Sequence, residues 1–187
     1  MIKIKEQLPR ALKMVLIMTI ICGVIYPLVV TGISQLVFKD KANGSIVEVN
    51  GVKYGSSLLG QSFTSQKYLW GRAMIIDIST FADKEGTPLM YAYPSNISTT
   101  SKEFETLVDN RVAFIKNANP DANTNEIPVD LVTCSGSGFD PEISVAAAQY
   151  QIPRIAKERG ITEKEVEKII NQYTTDRFVG IFGEKVV

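Results

Sequence analysis

The sequence contains no histidine among its 187 residues. Histidine is the usual general base of a Ser or Cys triad and the commonest metal ligand, so few hydrolytic mechanisms remain available. Cysteine is nearly absent too, because the chain has only Cys22, inside an apolar run, and Cys134. These two thiols provide neither a disulfide framework nor a Cys-x-x-Cys site.

Net charge is also lacking, since 20 basic and 20 acidic side chains cancel. No run of Lys or Arg is interleaved with the stacking aromatic residues that line nucleic-acid grooves, so we exclude nucleic acid as a partner. The chain is 45% hydrophobic. At this length it can build one modest domain with a core, but two full domains would not fit.

The sequence does contain one long uncharged run, the 25 residues from Met14 to Phe38. As a helix this run reaches roughly 37 Å, which exceeds the hydrocarbon core of about 30 Å. A secretory signal peptide is the alternative, but its apolar core has about 7 to 15 residues and ends at a small-x-small cleavage site. This run ends in SQLVFKDK instead. We therefore predict an uncleaved transmembrane helix at residues 14–38.

The basic residues around this run predict its orientation. Those before it are Lys3, Lys5, Arg10 and Lys13, and those soon after it are Lys39, Lys41 and Lys53. The excess on the N-terminal side favours a cytoplasmic N-terminus. We therefore predict that residues 1–13 lie in the cytoplasm and that residues 39–187 form an extracytoplasmic domain.

Small residues recur along the predicted span. We assign the contacts with a partner helix to Thr19, Gly23, Tyr26, Pro27, Thr31 and Ser34. Small side chains on one stripe let another backbone approach closely, which is how helices associate in lipid. Pro27 also predicts a kink, because it lacks the N–H that would pair with the carbonyl of residue 23. The alternative is that Gly and Pro are simply common in membrane helices.

The remaining residues predict an α+β domain, so the fold class is one N-terminal transmembrane helix followed by one mixed domain. Asn50-Gly51 between two β-prone runs predicts a type I′ hairpin. The glycine-rich residues 55–73 predict a loop, and residues 74–78 and 129–133 predict short strands. Thr100 and Glu103 have the spacing of a capping box, which predicts the start of an amphipathic helix.

The C-terminal third predicts two more helices. Helix-forming residues lie on both sides of Pro153 and end at a glycine, which predicts a helix interrupted near Ile152. Thr162 and Glu165 form a second capping-box pattern, which predicts a helix over residues 163–173. The β-prone residues 177–187 predict an edge strand.

The segment TCSGSGFDPEIS, residues 133–144, could be a phosphate loop, a nucleophile loop or a turn. It lacks the lysine of a Walker loop, and Ser137 does not have the Gly-x-Ser-x-Gly spacing. Two carboxylates, Asp140 and Glu142, are too few for a calcium or magnesium cage. A turn is favoured, in which Asp140 or Ser144 caps the next helix and Pro141 lies in its first turn. Anion binding at that helix start remains open.

Several motifs together resemble the C subunit of the bacterial Kdp potassium-transporting ATPase, the KdpC family. They are GVIYPLVVTG, GSSLLGQSF, YLWGR, PVDLVTCSGSGFDPEISVAAAQYQIPRIAKERG and GIFGE. The resemblance implies a non-catalytic accessory subunit in the membrane, with a channel-like K⁺-binding subunit and a P-type ATPase subunit as partners. It also implies that the subunit stabilises the assembly and raises the ATP affinity of the ATPase subunit. ATP and K⁺ are used by the complex, and we assign no cofactor, metal or catalytic residue to this chain.

The same motifs supply candidate residues for an interface or an anion contact. They are Gln61, Gly71, Arg72, Ser135, Gly136, Ser137, Gly138, Asp140 and Gln149. The middle of the chain departs from the family pattern, because Ala73-Met74-Ile75 follow Arg72 where the family has Pro-Ser-Ala. Two alternatives stay open: a membrane-anchored extracellular sensor or binding module, and a hydrolase that uses a Ser or Cys of residues 134–137 as nucleophile.

Overall fold

A computed structural model describes residues 4–122 and 126–187. Lys3, used in the orientation argument, lies outside these ranges. The chain forms two compact units, which divide between Ser57 and Leu58. In the first unit α1 (Ile4–Ile20), a π-helical turn (Ile21–Ile25) and α2 (Tyr26–Val37) follow one another without a break, and the short α3 (Lys39–Ala42) comes next.

One helical stretch, Gln7–Val37, is long and apolar enough to cross a membrane. It includes all but the last residue of the predicted span. Within the described residues, no other part of the chain covers the most apolar 18 residues of this helix. A helix with apolar side chains on all sides and no cover from its own chain matches the pattern of a membrane span.

The π turn lies directly before Pro27, where the sequence predicts a disruption. Proline has no N–H, so the carbonyl of Gly23 cannot receive the usual i→i+4 hydrogen bond. The structure accommodates this by widening the turn, and the Tyr26 N–H donates to the Ile21 carbonyl five residues back. π turns of this kind are local and short.

The predicted type I′ hairpin completes the first unit. Strand β1 (Ile46–Val49) pairs antiparallel with β2 (Val52–Ser56), and Val49 is opposite Val52. Asn50 and Gly51 have φ values of 54° and 79°. Both values lie in the left-handed region that this turn requires, so the prediction is confirmed.

The second unit contains the remaining elements. They are β3 (Ile76–Ala82), β4 (Pro88–Ala92), α4 (Lys102–Ala118), a 3₁₀ turn (Val129–Leu131), α5 (Val145–Tyr150), α6 (Ile152–Arg159) and α7 (Glu163–Gln172). Strands β3 and β4 form a second antiparallel hairpin. The predicted strand at residues 74–78 thus begins two residues later, and among described residues each hairpin is a separate two-stranded sheet.

Two of the three helix predictions hold in detail. Helix α7 begins with the predicted capping box, in which Thr162 accepts from the Glu165 N–H and the Glu165 carboxylate accepts in return. Hydrogen bonds from the Thr162 N–H and hydroxyl lower the pKa of the Glu165 carboxyl. The predicted interruption near Ile152 falls at Gln151, between α5 and α6, and α6 ends at left-handed Gly160.

The start of α4 was predicted one residue too early. Its N-cap is Ser101, whose hydroxyl accepts from the Phe104 N–H at 3.2 Å. The Thr100 hydroxyl instead lies 3.0 Å from the Ser98 hydroxyl. Capping depends on which hydroxyl the local backbone turns toward the first free N–H groups, and the two neighbouring hydroxyls make this ambiguous in sequence.

Two strand predictions are wrong. Residues 129–131 form a 3₁₀ turn, and Asp130, Leu131 and Val132 are all buried, so burial does not alternate as it does in a strand. Residues 177–187 make only isolated bridges, such as Phe178 with Phe182. Val179, Gly180 and Gly183 all have positive φ values, which interrupt an extended chain.

The core of the second unit lies where α5, α6 and α7 pack against α4 and against the loop before β3. Its largest members are Trp70, Ile115, Leu131, Ile143, Tyr150, Ile152, Ile155, Val166 and Ile170. Ala147 and Ala148 of α5 are fully buried. Their small side chains let α5 approach its neighbours closely, so this helix fixes the positions of the segments on either side of it.

Candidate functional site

The small residues predicted to contact a partner helix form a stripe that runs from α1 through the π turn into α2. Thr19, Gly23, Pro27 and Thr31 recur every four residues. Four residues exceed one α-helical turn of 3.6, so each member of such a series would lie about 40° beyond the last. The π turn at residues 21–25 holds more residues per turn and reverses part of this drift. The stripe therefore stays on one side of the helix for longer than its spacing alone would allow.

The stripe has room for a neighbour at its centre. A Cβ built on Gly23 would meet only the Thr19 methyl group within the chain, at 3.9 Å. Ser34, at the C-terminal end of the stripe, is partly buried, whereas the other stripe residues are exposed. Because lipid is as apolar as leucine, such an open strip of small side chains is suited to close packing with another helix.

The Ser-Gly-Ser-Gly segment is a compact turn. The Gly138 N–H donates to the Ser135 carbonyl at 3.2 Å. The hydroxyls of Ser135 and Ser137 lie 3.0 Å apart, and the Ser137 hydroxyl accepts from the Phe139 N–H at 3.3 Å. The two serines are thus each other's partners, and Gly136 between them is exposed.

Gly138 is the close-packed residue of this turn. Its φ is +74°, and a Cβ there would lie 2.7 Å from the Tyr93 carbonyl oxygen. On the other side of the hairpin, the Ile75 N–H donates to the Gly138 carbonyl at 3.3 Å. The turn therefore holds the base of the β3–β4 hairpin, with Ile75 leading into β3 and Tyr93 following β4.

We expect Gly138→Ala to lower the free energy of unfolding by about 2 kcal/mol or more, because it adds both a clash and a strained positive φ. The matched control is Gly136→Ala, since a Cβ there meets nothing within 4 Å and φ is not in the left-handed region. Urea denaturation of the full chain in detergent measures both variants. Equal losses in the two would contradict the role assigned to Gly138.

The segment after the turn is ordered by ion pairing and capping. Arg72 pairs with Asp140 across 3.5 Å, with both side chains partly exposed. Ser144 is the N-cap of α5, and its hydroxyl accepts from the Ala147 N–H at 3.0 Å. Of the two predicted caps, Ser144 is therefore the one used. The prediction that Pro141 lies in the first helical turn is wrong, because α5 begins only at Val145.

The start of α5 already holds a carboxylate from the chain itself. Asp130 accepts from the Ser144 N–H at 2.7 Å and lies 3.2 Å from the Ser144 hydroxyl. A helix start attracts negative charge through its free N–H groups. The buried Asp130 therefore occupies part of this helix start, and the binding of an external anion there stays a prediction.

The other candidate residues fall in two separate places. Gln61, Gly71 and Arg72 line one cavity of about 380 Å³. Gln149 is exposed on α5 and lines a different groove of about 710 Å³, beside Tyr150. The fold thus brings Gln61, Gly71, Arg72 and, through its ion pair, Asp140 to one region, and leaves Gln149 outside it. No group of three or more Asp, Glu, Cys or His side chains gathers anywhere in residues 4–122 and 126–187.

A buried polar cluster is the feature that sequence reasoning missed. The Gln151 side chain is fully buried at the α5–α6 junction. Its oxygen accepts from the Trp70 N–H at 2.9 Å, and its amide nitrogen donates to the Trp70 carbonyl at 3.0 Å. One side chain thus satisfies both backbone polar groups of a residue 81 positions away.

Arg154 is the charged member of this cluster, and it is 4% exposed. Its guanidinium donates to the Gln151 oxygen at 2.6 Å and to the Asn119 side-chain oxygen at 2.9 Å. The charged group also lies over the Trp70 ring, 4.0 Å from the centroid. A buried cation over an aromatic face gains more than an exposed one, because water does not compete.

The same guanidinium donates to the backbone carbonyls of Gln66 and Tyr68 in the loop before β3. Burial lowers the pKa of Arg154 to about 10, and Glu158 opposes this shift. The group therefore remains charged at neutral pH. It connects α6, the end of α4 and the loop, and so fixes the segment that carries Gly71 and Arg72.

A signal for this cluster was present in the sequence. Arg154 interrupts the apolar series Ile152, Pro153, Ile155 and Ala156, all of which are buried. A charged residue inside an apolar stretch of a helix is seldom buried without partners. Apart from Gln151, three residues earlier, those partners lie 35 to 88 residues away, so their positions could not be read from the sequence.

Comparison with known proteins gives one consistent result. Residues 8–187 match the family described as K⁺-transporting ATPase, c chain. The chain is 57% identical over 178 residues to the potassium-transporting ATPase KdpC subunit of Clostridium perfringens, covering 95% of this chain and 90% of that protein. It is also 56% identical to the KdpC subunit of Clostridium botulinum strain Alaska E43, over 98% and 91% of the two chains.

A more distant relative shows the same coverage. The KdpC subunit of a Janthinobacterium species is 45% identical over 184 residues, which is 98% of this chain and 93% of the relative. The similarity thus extends through both compact units and is not confined to the membrane helix or to one motif.

Proposed function

The chain belongs to the KdpC family, the c chain of K⁺-transporting ATPases, and we propose that it holds the other subunits of such a complex together. In this proposal the partners are a channel-like subunit that binds K⁺ and a P-type subunit that hydrolyses ATP. The chain itself contributes binding surfaces. Family membership and the long apolar helix at Gln7–Val37 together indicate a membrane location.

The uncovered membrane helix is the observation that carries this proposal. The helix is continuous from Ile4 to Val37. No other described part of the chain covers its most apolar residues, and it has an open stripe of small side chains centred on Gly23. One helix cannot enclose an ion path. A helix of small residues on one side is therefore best used for packing against the helices of a larger partner.

The proposed function does not include raising the ATP affinity of the ATPase subunit. In this proposal residues 39–187 lie on the extracytoplasmic side, which the positive-inside pattern favours, and cytoplasmic ATP does not reach that side. Labelling tests this orientation: with Cys22 and Cys134 replaced by serine, a cysteine at exposed Ser57 should react with an impermeant maleimide in intact cells. Protection of that cysteine until the cells are opened would contradict the orientation and return nucleotide contact to consideration.

Co-purification tests the proposed function. The full chain, tagged and expressed together with the other genes of its transport complex, should retain the two large subunits after mild detergent extraction. Deleting it should reduce their mutual retention and the K⁺-dependent ATPase activity by about ten-fold or more, equivalent to about 1.4 kcal/mol. A chain that purifies alone, with transport unaffected by its deletion, would instead support the anchored sensor or hydrolase.

A further inference from the structure

A groove in the second unit combines apolar side chains with carboxylates. It is lined by residues of α5, α6, α7 and the segment before the 3₁₀ turn, and its volume is about 710 Å³. We call it the α5–α7 groove. Ile127, Pro128, Ala146 and Ile152 provide apolar surface in it. Small-molecule sites are typically concave and apolar with a few polar groups, so the polar groups of this groove decide which ligand it fits.

The charges that line the groove are mostly negative. They are the carboxylates of Glu126, Glu163 and Glu167 and one ammonium group, that of Lys164. Glu163 and Glu167 are four residues apart on α7, which places them on the same face, about 6 Å apart along the helix axis. Neither of these two carboxylates forms an ion pair with a described residue. Like charges at this spacing disfavour a helix, and a bound cation would remove the repulsion.

Tyr150 brings an unpaired hydroxyl to the same groove. The residue is 5% exposed, and no described residue hydrogen-bonds its hydroxyl. Every fully buried side-chain nitrogen or oxygen among residues 4–122 and 126–187 has a partner, so this hydroxyl must still reach solvent. The groove is the cavity that Tyr150 lines. Burial raises the pKa of the hydroxyl, which therefore stays protonated and can be satisfied by a polar group of a ligand.

The spacing of these groups favours an extended cation over a metal ion. Within the described part of the chain, no three Asp, Glu, Cys or His side chains gather as a metal ion requires. Two ammonium groups joined by three or four methylene carbons are about 5 to 6 Å apart, close to the separation of the two glutamates on α7. The methylene carbons between them are suited to apolar surface, in the way that lysine stems are.

We propose that the α5–α7 groove binds a linear aliphatic polyamine. One ammonium group lies at Glu163 and the next at Glu167, while the methylene chain between them lies against the apolar lining. An ammonium group also donates to the Tyr150 hydroxyl oxygen, and Glu126 supplies a third carboxylate. Hydrogen bonds between charged groups are about twice as strong as neutral ones. The proposal does not depend on the proposed function, because the whole site lies within this chain.

Isothermal titration calorimetry of the full chain in detergent tests the class of ligand. Spermidine and 1,4-diaminobutane should both bind. Butylamine has the same methylene chain but one ammonium group, and it should bind about ten-fold or more weakly. Mg²⁺ tests whether charge alone is sufficient. Binding of butylamine or Mg²⁺ as tight as that of 1,4-diaminobutane would overturn the proposal, as would the absence of saturable spermidine binding.

Paired substitutions test the two carboxylates on α7. Glu163→Gln with Glu167→Gln should lower the affinity for spermidine about ten-fold or more. The matched control is Glu103→Gln with Glu105→Gln, which removes two exposed carboxylates from the first turn of α4, outside the groove. The control should keep the wild-type affinity within about two-fold, because distant exposed charges are screened. Thermal unfolding without ligand checks that both variants fold, and equal affinities in the two would contradict the site.

Tyr150→Phe tests the hydroxyl while it keeps the ring. The variant should unfold at or above the wild-type temperature, because the hydroxyl has no partner among the described residues. Its affinity for spermidine should fall about two- to ten-fold, as expected for the loss of one hydrogen bond. A Tyr150→Phe chain that binds spermidine as tightly as the wild type would count against the proposal even if the glutamate variants behave as expected.

Discussion

Replacing Gly23 with leucine is expected to reduce co-purification of the partner subunits by about ten-fold or more, or at least about 1.4 kcal/mol of association free energy. Gly23 lies at the centre of the small-residue stripe, and a Cβ there meets only the Thr19 methyl group at 3.9 Å within the chain. The variant helix can therefore still form. Any loss must come from the larger side chain holding a neighbouring helix away.

Gly32→Leu is the matched control for this experiment. Gly32 is nine residues beyond Gly23 and, even with the wider π turn at the start of that interval, it faces a different side of the helix from Gly23. A Cβ at Gly32 also meets nothing within 4 Å. Both substitutions raise helix propensity and apolarity. The two sites differ in the side of the helix, and also because Gly23 lies in the π turn whereas Gly32 lies in α2. If both variants, or neither, lose the partner subunits, the stripe is not the interface.

The second large effect concerns Arg154. Arg154→Leu should lower the free energy of unfolding of the second unit by about 3 to 5 kcal/mol, because it leaves buried acceptors without donors. Those acceptors include the side-chain oxygen of Asn119 and the Tyr68 carbonyl. Trp70 is the sole tryptophan of the chain and lies directly beneath the guanidinium, so its fluorescence in a urea titration reports this unit alone.

Arg159→Leu controls for the loss of an arginine from the same helix. Arg159 is exposed and donates one hydrogen bond, at 2.6 Å, to the Lys67 carbonyl. Its loss should cost about 1 kcal/mol or less. Arg154→Lys should recover only part of the difference, since an ammonium group cannot reproduce the planar set of donors. If Arg154→Leu and Arg159→Leu lowered the free energy of unfolding equally, the buried contacts of Arg154 would not be what stabilises this unit.

The parts of the fold that depend on neighbouring residues could be predicted from sequence. Asn50-Gly51 specifies its own turn, and Thr162 with Glu165 specifies the start of α7, because each requires only residues within a few positions. The strand predicted at residues 129–133 failed for the opposite reason. Asp130 is drawn inward by Ser144, 14 positions later, and no local pattern contains that information.

The same distinction applies to the candidate surfaces. The stripe could be placed from sequence because it needs only the geometry of one helix. The role of Gly138 depends on Tyr93, and the role of Gln151 depends on Trp70, so neither could be found without tertiary structure. The exposure of the loop at residues 178–182 was hidden for a related reason, since its β-prone residues suggested a strand that would have been paired.

The π turn before Pro27 has a further consequence for the membrane helix. Such a turn amounts to an α turn with one residue added. Losing that residue would restore ordinary winding, and the halves on either side would keep nearly the same azimuth. A chain that lacked this residue would therefore keep its two half-spans in the same rotational register, whereas converting the π turn to an α turn within the present chain would rotate them against each other by about 100°.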